Sequence, residues 1–168
     1  QRELGNGDRT GVQSLYGMPE IKPRPGTVTL YRMYNPNVKD HFYTTSFSEY
    51  STIAVDYGYL QEGALGFISP VLGTDAIPLY RMYSPISKDH FYTTDYNEYS
   101  TIAVDYGYTQ EGKIGYVYKS NIKDTVTLYR MYSMIAKDHF YTSSRNEYST
   151  IAVDYGYKQE GSMGYIYW

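Results

Sequence analysis

At 168 residues the chain is long enough to bury one sizeable core, and a net charge of −3 with a pI near 5.6 argues against a nucleic-acid partner. It contains no cysteine, which excludes disulfides and thiolate metal sites, and no apolar run nears the roughly 20 residues that a membrane-spanning helix needs. Tyrosine, at 24 residues, is the outlier, and its apolar ring and polar tip suit both strands and binding surfaces.

The start at Gln1 rather than Met reads as a processed or excised product, with any signal peptide already removed. Residues 7–17, Gly-Asp-Arg-Thr-Gly-Val-Gln-Ser-Leu-Tyr-Gly, share nothing with the rest of the chain. They resemble the last helix of matrixin-type zinc metalloprotease catalytic domains, which finish with an Asp, then Gly-Ile-Gln, then Leu-Tyr-Gly. The zinc-binding His-Glu-x-x-His helix is absent. The resemblance therefore implies the C-terminal part of a secreted metalloprotease without its protease machinery. The bland alternative is an accidental amphipathic helix. Pro19 to Gly26 reads as a proline-rich linker. The expected organisation is a remnant over 1–18, a linker over 19–26, and a repeat domain over 27–168.

From Val28 onward the chain repeats itself at an unbroken offset of 49 residues. Leu30–Tyr34 returns at Leu79 and Leu128. Lys39–Thr44 returns at Lys88 and Lys137. Glu49–Tyr59 returns unchanged at Glu98 and Glu147. A fixed period marks a repeat architecture whose single unit cannot bury its apolar face alone. The repeats run over about 27–75, 76–124 and 125–168.

Within one unit, Val28–Tyr34 is rich in strand formers and bounded by Gly26 and Asn35-Pro36. Asp40–Thr45 is a second strand, joined to the first through turn residues. Ser46, Asp95 and Ser144 stand three residues before Glu49, Glu98 and Glu147, which is a capping-box spacing. Tyr50, Ile53, Ala54 and Tyr57 share one helical face, and Gly58 stops the helix. Helices are thus predicted over 47–56, 96–105 and 145–154. Leu65–Ile68 reads as a third strand, with Gly63 and Gly66 marking a bulge or close approach. The fold class is mainly β with one short helix per repeat. Three such units suggest a pseudo-threefold closed array like a three-bladed propeller, with a β-trefoil as the alternative.

The combination Tyr-Arg-x-Tyr, Asp-His-Phe-Tyr-Thr-Thr, Gly-Tyr and Glu-Gly resembles a tandem-repeat family of uncharacterised domains. That family is appended to secreted fungal and bacterial hydrolases, including cell-wall-active ones, and often has Gly-Trp where this chain has Gly58-Tyr59. The resemblance covers Val28–Trp168. Its company implies a secreted protein that adheres to glycans or glycoproteins.

The residues allow the same reading independently. A sugar site needs side chains that bond vicinal hydroxyls and an aromatic face for the ring. Asp40, His41 and Glu62 supply the first; Tyr43, Tyr57 or Tyr59 the second. The candidate site is therefore Asp40, His41, Tyr59 and Glu62, with Asp89, His90, Tyr108 and Glu111, and Asp138, His139, Tyr157 and Glu160, in the other copies. On a strand His41 and Tyr43 share a face, opposite Phe42. Bland roles stand beside these: a turn cap and a satisfied histidine for Asp40-His41, helix capping for Glu49, and an ion pair with Asp56 or Glu62 for Arg32. Three converging histidines could hold a metal ion, but no metal or cofactor is expected. No nucleophile–base triad or phosphate loop is evident, and the chain reads as non-enzymatic. The expected function is a secreted, trivalent lectin-like module that targets an attached hydrolase to glycans. The alternatives are a protein-binding exosite of the protease, built from Ser69–Pro78 and Lys119–Val126, or a purely structural domain.

Overall fold

The computed structural model describes residues 24–168. The metalloprotease-like segment, and residues 19–23 of the linker, lie outside the described residues. The rest is mainly β, with the same element order three times over. The first unit comprises β1 (Val28–Asn35), β2 (Asp40–Thr44), a π-helical turn (Glu49–Ile53) running into α1 (Ala54–Asp56), and β3 (Leu60–Ile68). The second has β4 (Ala76–Ser84), β5 (Asp89–Thr93), α2 (Ala103–Asp105) after its own π turn, and β6 (Thr109–Tyr118). The third has β7 (Thr125–Ser133), β8 (Asp138–Thr142), α3 (Ala152–Asp154) and β9 (Lys158–Tyr167).

In each unit the first strand is central, antiparallel to the short second strand on one side and the long third strand on the other. The third strand starts at Leu60, five residues earlier than the apolar run Leu65–Ile68 suggests, because the polar Leu60–Ala64 half still pairs with β1. Its register slips twice. Leu30 faces Gly66 while Tyr31 faces Ala64, and Arg32 faces Gly63 while Met33 faces Gln61. Leu65 and Glu62 are thus bulge residues, as are Ile114 and Glu111, and Met163 and Glu160. A bulge re-aims its side chain. Here it sends Leu65 into the core and Glu62 to Arg32 of its own unit.

The propeller-like closed array is not supported, because the sheet does not close. The three third strands meet only at single bridges: Phe67 with Tyr167, Tyr118 with Tyr165, and Ser69 with Tyr116. The short strands β2, β5 and β8 remain edges of the sheet. The six-hairpin closure of a trefoil is absent for the same reason. What replaces a backbone ladder is a ring of tyrosine hydroxyls. Tyr92 Oη donates to the Tyr43 carbonyl and accepts from the Tyr43 N–H, both at 2.7 Å. Tyr141 does the same for Tyr92, and Tyr43 for Tyr141, at 2.7–2.8 Å. The cycle returns on itself, so the units stand about an approximate threefold axis without a continuous ladder. The three rings meet edge to face, with centroids 5.2 Å apart.

The central core belongs to all three units. Leu30, Leu79, Leu128, Ile68, Val117 and Ile166 pack with the three tyrosines around the axis. Each unit adds a private cluster, such as Met33, Phe42 and Ala54 under Tyr50 and Tyr59. The helical segments begin as the caps predict: Ser46 Oγ accepts the Glu49 N–H at 3.2 Å, and Ser144 that of Glu147. The expected apolar face is only partly buried. Ala54 is inside, but Ile53 and Tyr57 are 49% and 77% exposed. A π turn carries more residues per turn than an α-helix. It rotates the register so that Ala54 alone points squarely inward, and Tyr57 lies beyond the helix end.

Candidate functional site

The recurring aspartate, histidine, arginine and capping glutamate meet their complements across a seam between neighbours. At the first seam Asp40 accepts the His90 backbone N–H at 2.7 Å, His90 Nδ1 at 2.5 Å, and the Tyr59 hydroxyl. Asp89 takes the same three bonds from His139 and Tyr108. Asp138 takes them from His41 and Tyr157, which joins the third unit back to the first. Two of the predicted four, Asp40 and Tyr59, therefore act within one unit. The other two, His90 and Glu111, come from the next. The four residues Asp40, His41, Tyr59 and Glu62 of one unit do not converge.

All three aspartates are buried, and their carboxylates lie within 4.8 Å of one another. It is the aspartates, not the histidines, that the axis gathers. Nine donors answer them, three backbone N–H groups, three imidazole N–H groups and three phenols, so each carboxylate is satisfied where it sits. Burial, followed by the Asp40 charge, pushes the Tyr59 phenol far above its ordinary range, and Tyr108 and Tyr157 likewise. They remain protonated donors.

Further out in each seam lies an arginine. Arg81 makes a two-pronged bond to Glu49 of the preceding unit, at 3.1 and 3.2 Å, while its Nε donates to Glu111 at 3.0 Å. Arg130 bridges Glu98 and Glu160, and Arg32 bridges Glu147 and Glu62. For Arg32 and Arg130 the Nε contact is an ion pair at 3.0 Å with the N–H off the ideal line. The Glu62 partner fits expectation; Asp56 takes no part. Glu49 fills half of a capping box only. Its own N–H is capped by Ser46, but its carboxylate takes Thr44 and Arg81 instead of reaching back, and Thr44 Oγ1 accepts the Ser46 N–H. Burial raises the Glu49 pKa, yet the bonds from Arg81 and Thr44 outweigh it and hold the group below its ordinary value. Each guanidinium also lies over a phenylalanine ring: Arg32 on Phe140, Arg81 on Phe42 and Arg130 on Phe91, at 5.0–5.2 Å.

His41 and Tyr43 do share one strand face, but that face meets the neighbouring unit rather than solvent. All five β2 residues are buried. Tyr43 is spent on the axis, and sequence reasoning missed its role; the signal was an aromatic on the face opposite Phe42. It also missed Tyr34, whose ring covers His41 at 4.4 Å, with Tyr83 and Tyr132 doing the same.

One edge of each seam stays chemically open. Each imidazole bonds its aspartate through Nδ1, which leaves Nε2 for a second partner. Nε2 faces a carboxylate oxygen: Glu62 at 3.9 Å from His41, Glu111 at 3.7 Å from His90, Glu160 at 3.9 Å from His139. The gap is too wide for a direct bond. A hydroxyl group set between them bridges the two. The glutamate is one-third exposed, so the gap lies at the surface. Each seam sets one arginine against three carboxylates, a net negative charge that disfavours anions.

The family model described as a domain of unknown function, DUF5648, matches residues 29–167, which spans all three units. No curated protein and no solved structure matches the chain.

Proposed function

We propose that this chain, which belongs to the DUF5648 family, is a secreted lectin-like module that binds glycans at three equivalent weak sites. Each site is the mouth of one seam. The observation that carries the reading is the unbridged pair, His Nε2 facing Glu Oε1 at 3.7–3.9 Å, repeated three times beside a half-buried tyrosine. Sugar hydroxyls fill the gap, and Tyr34, Tyr83 or Tyr132 flanks the ring. The role is binding rather than catalysis: Thr44, the aliphatic hydroxyl nearest His41 in sequence, donates its hydrogen bond to Glu49. A site of a few hydrogen bonds is worth about 4 kcal/mol, or millimolar affinity. Three together raise avidity by roughly 10² to 10⁴ on a multivalent surface. An attached hydrolase would thereby be held on its substrate wall.

A glycan array on the chain finds the ligand, and calorimetry with the best oligosaccharide counts the sites. Three sites are expected. Glu62→Gln, which keeps an acceptor for Arg32, should lower the count to two. A single site per chain, or unchanged binding after Glu62, Glu111 and Glu160 are all replaced, overturns the reading. Either outcome shifts weight to a protein-binding exosite. One observation favours that second reading: Val71 and Leu72, in the unrepeated Ser69–Pro78 segment, are 65% and 69% exposed. Replacing both with Ser should leave glycan binding intact under the first reading.

A further inference from the structure

The eleven residues Glu49–Tyr59 are identical in all three units, and several have a structural task. Glu49 pairs with Arg81, Tyr50 stacks on Tyr31 at 4.2 Å, Ala54 is core, and Tyr59 holds Asp40. Gly58, at φ +90, turns the chain out of the helix. Asp56 and Tyr57 have no such task. Both are exposed, and the rings of Tyr57, Tyr106 and Tyr155 are 77%, 77% and 79% open. Exposed positions close by have diverged. Pro36-Asn37-Val38 corresponds to Pro85-Ile86-Ser87 and Met134-Ile135-Ala136, and Leu60 to Thr109 and Lys158.

The backbone that carries the Tyr57 ring is fixed in the first unit. Tyr57 N–H and Tyr59 N–H both bond the Ala54 carbonyl, at 3.1 and 3.0 Å, and Asn35 Nδ2 bonds the Tyr57 carbonyl at 3.0 Å. Of the three tyrosines that could meet a sugar face, Tyr43 is fully buried and Tyr59 is occupied by Asp40. Only Tyr57 presents its ring to solvent. Ile53, four residues back in the chain, is half exposed, and Asp56, next to Tyr57 in the chain, is an exposed carboxylate.

We propose that Tyr57, Tyr106 and Tyr155 are three stacking platforms for uncharged pyranose rings, with Asp56, Asp105 and Asp154 accepting from the sugar hydroxyls. The proposal rests on the glycan-binding reading and names its ligand class. Each platform offers on the order of 250 Å² of apolar surface, the footprint of one or two sugars. A stable protein partner needs about 800 Å² in one piece, whereas these platforms sit on three separate units. The adjacent carboxylate and the net charge of −3 select against uronates, sialates and sulfated chains.

The test compares wild type with the triple variant Tyr57→Ser, Tyr106→Ser, Tyr155→Ser on immobilised neutral hexose and N-acetylhexosamine polymers, with heparin and polygalacturonate as acidic probes. Circular dichroism of the variant should match wild type, because the rings are exposed. Losing one stacked ring weakens a site by about 3- to 10-fold, so surface retention should fall by roughly 30- to 1000-fold when three act together. That loss on neutral polymers establishes the platforms. Unchanged retention on the neutral polymers overturns the platforms and leaves the seam sites standing. Preference for the acidic polymers overturns the ligand class. If wild type retains no polymer at all, the glycan-binding reading fails and the platforms fall with it.

Discussion

Replacing Tyr92 with Phe removes one oxygen and breaks the axial ring at one link. Tyr92 Oη serves both backbone groups of Tyr43, at 2.7 Å each. Without it the Tyr43 N–H has no partner in sight. The carbonyl keeps only a long contact from Arg81, at 3.5 Å. A buried group left unpaired costs about 1–3 kcal/mol. One full orphan and one partial orphan give about 2–4 kcal/mol. Rescue by water is poor, because the axial cavity measures about 10 Å³ and is lined by Leu30, Leu65, Leu79, Leu128 and the tyrosine rings. For a chain of this size each kcal/mol lowers Tm by about 2–4 °C. Tyr92→Phe should thus melt roughly 4–15 °C below wild type, with a matching shift in the urea midpoint. Tyr43→Phe and Tyr141→Phe should cost the same, since the cycle is symmetric. Tyr57→Phe, on an exposed ring, should change stability by less than about 0.5 kcal/mol. A Tyr92→Phe protein that melts within a degree of wild type would refute the idea that hydroxyls replace the missing ladder.

Acid should loosen the seams. Glu49, Glu98 and Glu147 lie below their ordinary pKa because the arginine and threonine bonds outweigh burial. Their contribution is therefore complete above the unfolded value of about 4.3 and is lost as pH falls through the lower folded value. The urea midpoint should be level from neutrality to about pH 5 and drop below it, and Glu98→Gln should flatten that drop. Arg81→Met should cost about 2 kcal/mol, discounted from a fully buried pair because Glu49 is 27% exposed. Combined with Glu49→Gln it should cost less than the two single changes added, which a double-mutant cycle reads directly. At Gly66 a Cβ would stand 2.5 Å from the Tyr167 carbonyl oxygen, while at Gly63 nothing lies within 4 Å. Chemical denaturation should show Gly66→Ala as the more destabilising by at least about 1 kcal/mol.

The helix ends and the strand pair were legible in the sequence because they rest on neighbours in the chain. Ser46 caps Glu49, Gly58 stops the turn, and Asn35–Lys39 closes the hairpin. The seams were not legible, because each joins residues dozens of positions apart. Nothing local tells Asp40 to seek His90 rather than His41, or Arg32 to seek Glu147 rather than Asp56. Identical copies make this harder, since a partner in one's own unit and its equivalent next door look the same. Tyr57 was misplaced for a different reason. Its i, i+4 spacing from Ile53 assumes 3.6 residues per turn, and the π turn at Glu49–Ile53 does not keep that count. The candidate residues recur as a polar set in the sequence, but nothing in the spacing says how many are spent on holding the units together.

Each unit carries a socket and a plug. Asp40, steadied by Tyr59, and Glu49 receive the next unit; His41 and Arg32, the latter steadied by Glu62, reach into the previous one. Since the parts are the same in every copy, a plug cannot tell whether its socket belongs to its own chain. A peptide holding one unit has both halves of a self-complementary interface, and three of them make the same set of contacts as one full chain. The molecule thus has the logic of a homotrimer written as a single gene. That self-complementarity predicts its characteristic failure: at high concentration during refolding, units from different chains should exchange and yield swapped oligomers with native seams.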